Sequence, residues 1–442
     1  MPLTSTTQNK KPPLLEKRYV LAFTLVTVCF ALWGFANDIT NPMVKVFGRI
    51  YQISTAESSL VQLAFYGGYF IMALPAALLN QRTSYRTGII VGLTLYAIGA
   101  LLFYPGVKSG SFSSFLLAYF ILTCGLSFLE TSANPYILTL GDPKTATQRL
   151  NLAQAFNPIG SLIGMFVAVE IVQKNLHHFS TGERVLLPDD VAHTVQQHDL
   201  HVLATPYIFI GLLIVFLLCL FVFIKLPTPA AADRQGNFSF QGSVHALWSD
   251  KRYRYGVLAQ FFYVGAQIMV WTFIIQYGVR LFTSQGLPEH ESEILSQRFN
   301  ILAMVLFCGG RFGGTYLSRR TQPEILLRSL AIAAIICTTV TILFTNIIGL
   351  IALVLISVCM SIMFPTIYAQ SLQDQYQHSQ IGAAGLIMAI LGGSVLPPLQ
   401  GLIIDMGTIF GHPAVNISFV MPLLSFVVVL GYALFLVQTS KD

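Results

Sequence analysis

Charge is scarce in this chain. Only 10% of its 442 residues are Asp, Glu, Lys or Arg, against roughly a quarter in an average soluble domain. The length would allow about three soluble domains, but so few charges cannot cover three globular surfaces. Disorder, collagen and coiled coil are excluded by the same composition. Paired cysteines are also missing. Cys29, Cys124, Cys219, Cys308, Cys337 and Cys359 all lie in apolar blocks and none forms a CxxC motif, so they read as small buried hydrophobes, not as disulfides or metal ligands. The string GGRFGG lacks the Lys-Ser/Thr of a P-loop. No Ser/His/Asp set and no nucleotide fold is visible, so no enzyme, no cofactor and no metal is expected. The net charge of +6 needs no nucleic-acid partner, because membrane proteins concentrate Lys and Arg in cytoplasmic loops.

Apolar sequence is plentiful: 54% of the residues are hydrophobic and the mean hydropathy is +0.67. The apolar residues come in long blocks and do not alternate over ten-residue strands, which argues against an outer-membrane barrel. A helix needs about 20 apolar residues to cross the bilayer core. Twelve blocks reach that length, at about 19–47, 58–80, 86–105, 113–138, 148–173, 203–226, 254–283, 297–318, 325–345, 347–372, 380–405 and 412–438. The expected fold is therefore an all-α integral membrane protein in contact with lipid. With the N-terminus inside, the inner segments hold seventeen Lys and Arg and the outer ones seven, which puts both termini in the cytoplasm. The domains expected are a tail at 1–18, a six-helix bundle at 19–226, a linker at 227–253 that opens with LPTPAA, a second bundle at 254–438 and a tail at 439–442. The halves echo each other. Ala36-Asn37 matches Ala266-Gln267 and Pro135 matches Pro365, both at an offset of 230, while LAFYGGYF resembles LFCGGRFG. This duplication resembles the major facilitator architecture, with a site near the midplane between two pseudo-symmetric bundles. Glycines of helices 5, 8 and 11 (Gly160, Gly164, Gly309, Gly310, Gly313, Gly314, Gly382, Gly385, Gly392 and Gly393) are expected to allow close helix packing.

A charge at the bilayer centre costs roughly 2.5–3.5 kcal/mol on the insertion scale, so intramembrane acids are the first functional candidates. Four of nineteen acids fall within the blocks: Asp38, Glu130, Glu170 and Asp405. The last two lie near helix ends, where interface placement explains them. Asp38 and Glu130 lie deeper with no basic neighbour on their helices, and such acids take up protons readily. Polar residues accompany them: Asn37 and Asn41 on helix 1, Asn134 on helix 4, Gln154 and Asn157 on helix 5, and Gln267 and Trp271 on helix 7. Gln154 and Asn157 are three apart and expected on one face. Amides and carboxylates both donate to and accept from hydroxyls, and aromatic faces pack on the C–H face of a sugar ring. The set suits a neutral polyhydroxylated ligand. Pro42, Pro135 and Pro158 are expected to break their helices and free backbone carbonyls. Arg311, close to the inner surface, reads as a gate residue that pairs with an acid or a helix C-terminus. His177, His178, His193, His198 and His201 crowd the outer loop 174–202, but no spacing among them matches a metal-ligand pattern, so they are expected to be solvated.

The strings WGFAND, LETSANPY, RLNLAQAFN and LAQFFYVGAQ resemble the fucose permease family of sugar:proton symporters over most of the chain. The resemblance implies import of a hexose or deoxyhexose (fucose, galactose, glucose or N-acetylglucosamine) with a proton, by alternating access, in a bacterial inner membrane and as a monomer. It gives Glu130 a proton-coupling role and Gln154 and Asn157 a sugar-binding one, with Gln267 and Trp271 in the matching stretch of helix 7. Helix 1 departs from the pattern: Asn41 stands at the family's aspartate and the acid lies one turn earlier, at Asp38. An Asp flanked by Asn oxygens could instead ligate Na+, so sodium coupling stays an alternative to H+. A multidrug:proton antiporter, which favours a greasier cavity, and a non-transporting receptor are further alternatives.

Overall fold

In lipid every backbone N–H and C=O must be satisfied within the chain, so apolar blocks of this length fold as helices. The computed structural model describes residues 13–439, apart from 54, 59, 178, 180–183, 185, 225–226, 228–239, 374, 376–377 and 410. At 41–42, 44–45, 55–56, 289–290 and 293 only the backbone is described. The first twelve and last three residues of the expected tails, and most of the Pro-rich linker, thus lie outside the described residues.

Twelve long helices follow one another. They are α1 (Val20–Tyr51), α2 (Leu60–Arg82), α3 (Tyr85–Ser109), α4 (Phe112–Thr139), α5 (Pro143–Asn175), α6 (Asp189–Phe223) and α7 (Lys251–Ser284). Then come α8 (Glu289–Leu317), α9 (Pro323–Leu343), α10 (Ile347–Ser371), α11 (Ser379–Ile404) and α12 (Ala414–Thr439). Eleven are long and apolar enough to cross a membrane by composition. The exception is α8, which opens with the polar run EHESEILSQR and carries Arg311 further on. An even number of crossings brings both termini to one side, called here the termini side.

Two helices begin earlier than the apolar pattern indicates. α6 starts at Asp189 after Pro188, with Asp189 and Asp190 in its first turn, where acids complement the helix dipole. About fourteen residues of the expected outer loop are therefore helical. α8 likewise starts after Pro288. Within the expected linker, Phe240–Ser249 forms a helix. Its Ser243 Oγ lies 3.1 Å from His378 Nδ1, just ahead of α11.

The helices pack in two groups of six. α1 lies on α5, and α3 on α4 and α6; in the second group α7 packs on α8, α11 and α12, and α9 on α10 and α12. Gly160 and Gly164 make the α1–α5 approach possible: a Cβ at Gly160 would stand 1.7 Å from the Ala31 carbonyl oxygen. The α8 glycines divide. A Cβ at Gly314 would meet Ile362 at 2.6 Å, whereas a Cβ at Gly309 or Gly313 would meet no described atom of a neighbouring helix within 4 Å, so packing accounts for only part of that set.

Prolines act unequally. α4 runs unbroken through Pro135, and α1 is continuous through position 42, contrary to the expectation of breaks there. A proline removes one donor, and a helix survives when another group takes the freed carbonyl four residues earlier. For Pro135 that carbonyl belongs to Thr131, and Asn80 Nδ2 of α2 donates to it at 3.5 Å. α5 does break, at Ala155–Phe156 just before Pro158, and α10 breaks at Ser361–Ile362 before Pro365.

Candidate functional site

The two groups of helices meet through α2–α11, α4–α11, α5–α10 and α5–α8. Their polar contacts gather toward the termini side. Tyr85 Oη and Ser379 Oγ are 3.0 Å apart. Gln380 Nε2 donates to the Asn80 carbonyl at 3.2 Å. Phe156 of α5 and Phe312 of α8 cross edge to face at 5.9 Å.

Arg311 is the third polar link. It is buried, with its guanidinium 4.8 Å over the Phe307 ring, so it does not snorkel. Nε donates to the Ser361 carbonyl and NH1 donates to the Gln154 carbonyl at 2.9 Å. Both acceptors have one origin. Gln154 is four residues before Pro158 and Ser361 four before Pro365, so neither carbonyl has a helical N–H to accept from. One guanidinium, with five donors in a planar fork, satisfies a freed carbonyl in each half. Among the described residues its bonds go to helix ends and none to an acid.

Above this closure lie the deep polar residues. Glu130 is 0% exposed, and neither carboxyl oxygen has a hydrogen-bond partner among the described residues. Tyr69 of α2 and Tyr368 of α10 lie within electrostatic reach of it. One turn further along α4, Asn134 Oδ1 accepts from Gln154 Nε2 at 2.8 Å, and Asn134 Nδ2 has no partner among the described residues. Gln154 and Asn157 are three apart, and right-handed helical backbone angles continue through Ala155 and Phe156 between them, but their side chains take different partners. Asn157 Nδ2 donates instead to the Phe30 carbonyl of α1 at 3.1 Å.

On α1, Asn37 Oδ1 accepts from Tyr69 Oη at 3.5 Å. Asp38 is partly exposed, beside Ser161 of α5 and within reach of Tyr66 of α2. The side chain of Asn41 lies outside the described residues. In the other half Gln267 is half-buried on α7, one turn before Trp271. Trp271 Nε1 donates to Ser357 Oγ at 3.2 Å and the indole meets Phe307 edge to face at 4.9 Å. The structure thus joins Glu130, Asn134 and Gln154 on one side and Gln267 with Trp271 on the other. Gln260 and Asn151, both fully buried, also keep amide atoms with no partner among the described residues.

Tyr69 and Tyr368 escaped the sequence reading. Apolar-looking aromatics in a helix give no sign of facing an acid, although Tyr69 directly follows the Gly67-Gly68 pair that echoes between the halves. Glu170 lies near its helix end as expected and pairs with Lys174 one turn on. Of the outer histidines, His193, His198 and His201 are exposed as expected. His177 Nδ1 and His198 Nδ1 lie 3.0 and 3.4 Å from Asp199 Oδ1. His178 lies outside the described residues.

Twelve helices in two facing groups, with buried polar groups between them, have the architecture of a membrane transporter. The Major Facilitator Superfamily model matches residues 26–397, and the chain belongs to that superfamily and, within it, to the fucose permease family. It is 47% identical over 427 residues to the L-fucose-proton symporter of Haemophilus influenzae, covering 95% of this chain and 97% of that one. It is 32% identical to the glucose/galactose transporter of Brucella abortus, with 95% of each covered. Among solved structures, the transporter FucP in the outward conformation superposes with a TM-score of 0.85 at 31% identity, over 95% of this chain and 99% of that one.

Proposed function

We propose that this protein imports a hexose or deoxyhexose together with a proton, by alternating access of its two six-helix halves. The observation that carries the reading is Glu130: a fully buried acid whose two oxygens have no partner among the described residues, one turn from the Asn134–Gln154 amide pair. Left charged and unpaired at this depth it would be costly, so it holds a proton when the site is empty of other partners. Sugar hydroxyls supply donors and acceptors that the free amide of Asn134 and the carboxyl of Glu130 lack. Trp271 offers a ring face from the opposite half. The relatives' sugars and protons support the choice of cargo, and a membrane acid beside amides suits a sugar better than the greasy cavity of a drug exporter.

With the positive-inside bias, the termini side is cytoplasmic and the membrane is a bacterial inner membrane. The contacts at Tyr85–Ser379, Gln380–Asn80 and Arg311–Gln154 then close the cytoplasmic end, which agrees with the likeness to FucP in its outward conformation. Sugar and proton enter from outside, and release follows when these links part. The halves rock as units of residues 19–226 and 254–438, and one monomer suffices.

Tag-free protein in proteoliposomes tests this with labelled fucose, galactose, glucose and N-acetylglucosamine under a proton gradient and then a sodium gradient. Proton-driven accumulation of one sugar is expected. Uptake that needs sodium would transfer the coupling role to Asp38 and its neighbours as a cation site. No uptake of any sugar under either gradient would overturn the reading.

A further inference from the structure

On the face opposite the termini, His177, two residues after α5, meets the early turns of α6. There Asp199 is fully buried (0% exposed) while His177 and His198 are 37% and 50% exposed. Asp199 Oδ2 is held by Arg184, itself 4% exposed. Arg184 also donates to the carbonyls of His177, at 3.2 Å, and Phe179, at 3.3 Å. The carboxylate is therefore fixed, with Oδ1 turned toward the two imidazoles.

Oδ1 has more claimants than lone pairs. The His177 backbone N–H donates to it at 3.0 Å. His177 Nδ1 stands at 3.0 Å and His198 Nδ1 at 3.4 Å. A carboxylate oxygen offers about two acceptor sites, and the backbone takes one. At most one ring nitrogen can be seated as a donor. The other points a lone pair at a negative oxygen unless a cation lies between them. The rings are packed edge to face, 4.5 Å apart.

We propose that His177, His198 and Asp199 bind one divalent transition-metal ion of the zinc class. Their three ligand atoms lie within 4.8 Å of one another. In a tetrahedral site with ligands at roughly 2.0–2.1 Å, neighbouring ligand atoms are about 3.4 Å apart. The two edges to Oδ1 are already close to that, and a small rotation of the exposed rings closes the third. The donor set of two imidazoles and a carboxylate suits zinc. Arg184 orients the carboxylate from behind, as groups bonded to metal ligands commonly do. The fourth position faces solvent and takes water. The ion would tie the end of α5 to the start of α6 across the loop between them.

The test is direct binding to full-length, tag-free protein stripped with chelator. Co2+ titration is read by the visible bands of a tetrahedral ion, and Zn2+ by displacement of Co2+. One equivalent of tetrahedral Co2+, released by Zn2+, is expected. His177→Ala and His198→Ala should each weaken binding by more than about tenfold, the loss typical even of residues that only orient a ligand. His193→Ala and His201→Ala should leave it unchanged. Both pairs replace surface-reaching side chains, and an unchanged metal-free unfolding midpoint establishes that each variant folds. No saturable binding by the intact protein overturns the proposal. So does binding that survives His177→Ala and His198→Ala, or that falls with His193→Ala. None of these readouts involves transport, so they stand apart from any failure of the sugar reading.

Discussion

Arg311→Ala is the perturbation with the largest expected effect on the balance between the two ends of the protein. Arg311 is one of the polar links between halves, and its NH1 bond to the Gln154 carbonyl crosses the interface. A hydrogen bond from a charged donor is worth about 1.5–3 kcal/mol net. The Ser361 bond lies within one half and cancels to first order between open and closed states. Loss of the crossing bond should therefore shift the equilibrium toward the form open at the termini side by roughly 10- to 150-fold, at 1.4 kcal/mol per factor of ten. Spin labels at the exposed positions Thr83 and Gln373, on opposite halves and in a background without the native cysteines, report this as a longer distance population. Pro158→Ala gives an independent route to the same change. A restored N–H four residues on would occupy the Gln154 carbonyl and compete with Arg311. The two substitutions should then be strongly non-additive, as for any pair acting on one contact. A distance distribution unmoved by Arg311→Ala, in protein that folds normally, would refute the latch. Simple additivity with Pro158→Ala would refute its dependence on the proline.

Glu130→Gln keeps the shape and removes the titration; one unit of pH gradient is worth about 1.4 kcal/mol, so a one-proton symporter accumulates sugar about tenfold. The variant should fall to no accumulation while retaining sugar exchange in counterflow, and a variant that still concentrates sugar would remove Glu130 from coupling. Gly160→Ala places a methyl 1.7 Å from the Ala31 carbonyl oxygen and should cost about 1–3 kcal/mol or more by overpacking, seen as a lower unfolding midpoint in detergent. Gly309→Ala, with nothing within 4 Å, should be neutral or gain up to about 1 kcal/mol of helix propensity in the same assay. Gln154→Ala leaves Asn134 Oδ1 without its 2.8 Å donor and should raise the KM for sugar more than it lowers the maximal rate; an unchanged KM would separate this pair from the sugar site.

Long apolar blocks made the helix count and the all-α membrane fold legible, because lipid leaves the backbone no other choice. α6 was misplaced at its start because Asp189–Val202 is helical for local reasons, an acidic first turn after Pro188, and not for hydropathy. The His177–Asp199 meeting was invisible for a related reason: it joins residues 22 apart, a separation that no ligand spacing encodes. The polar residues of α4 and α5 were identifiable by type and depth, but not their pairing. Spacing put Gln154 and Asn157 together, but Gln154 donates to Asn134 of α4 and Asn157 to the Phe30 carbonyl of α1.

The prolines and the buried cation Arg311 are linked through the backbone. A proline inside a helix frees the carbonyl four residues earlier, and three such orphans concern the polar interior: Thr131 for Pro135, Gln154 for Pro158, Ser361 for Pro365. The donors then follow the internal repeat. α2 and α8 hold equivalent places in the two halves, as do α4 and α10. Asn80 of α2 serves Thr131 of α4, and Arg311 of α8 serves Ser361 of α10. The halves differ in the donor. An Asn amide has two N–H groups, and Asn80 spends its Nδ2 on Thr131 and on Ser132 Oγ at 3.0 Å, both within its own half. A guanidinium has five, and the surplus reaches Gln154 in the opposite half. A guanidinium on α8 thus joins the repair of proline damage to a contact between the halves. An ion pair across the same interface would have had to desolvate two charges each time it formed, whereas two neutral carbonyls ask that of one guanidinium only.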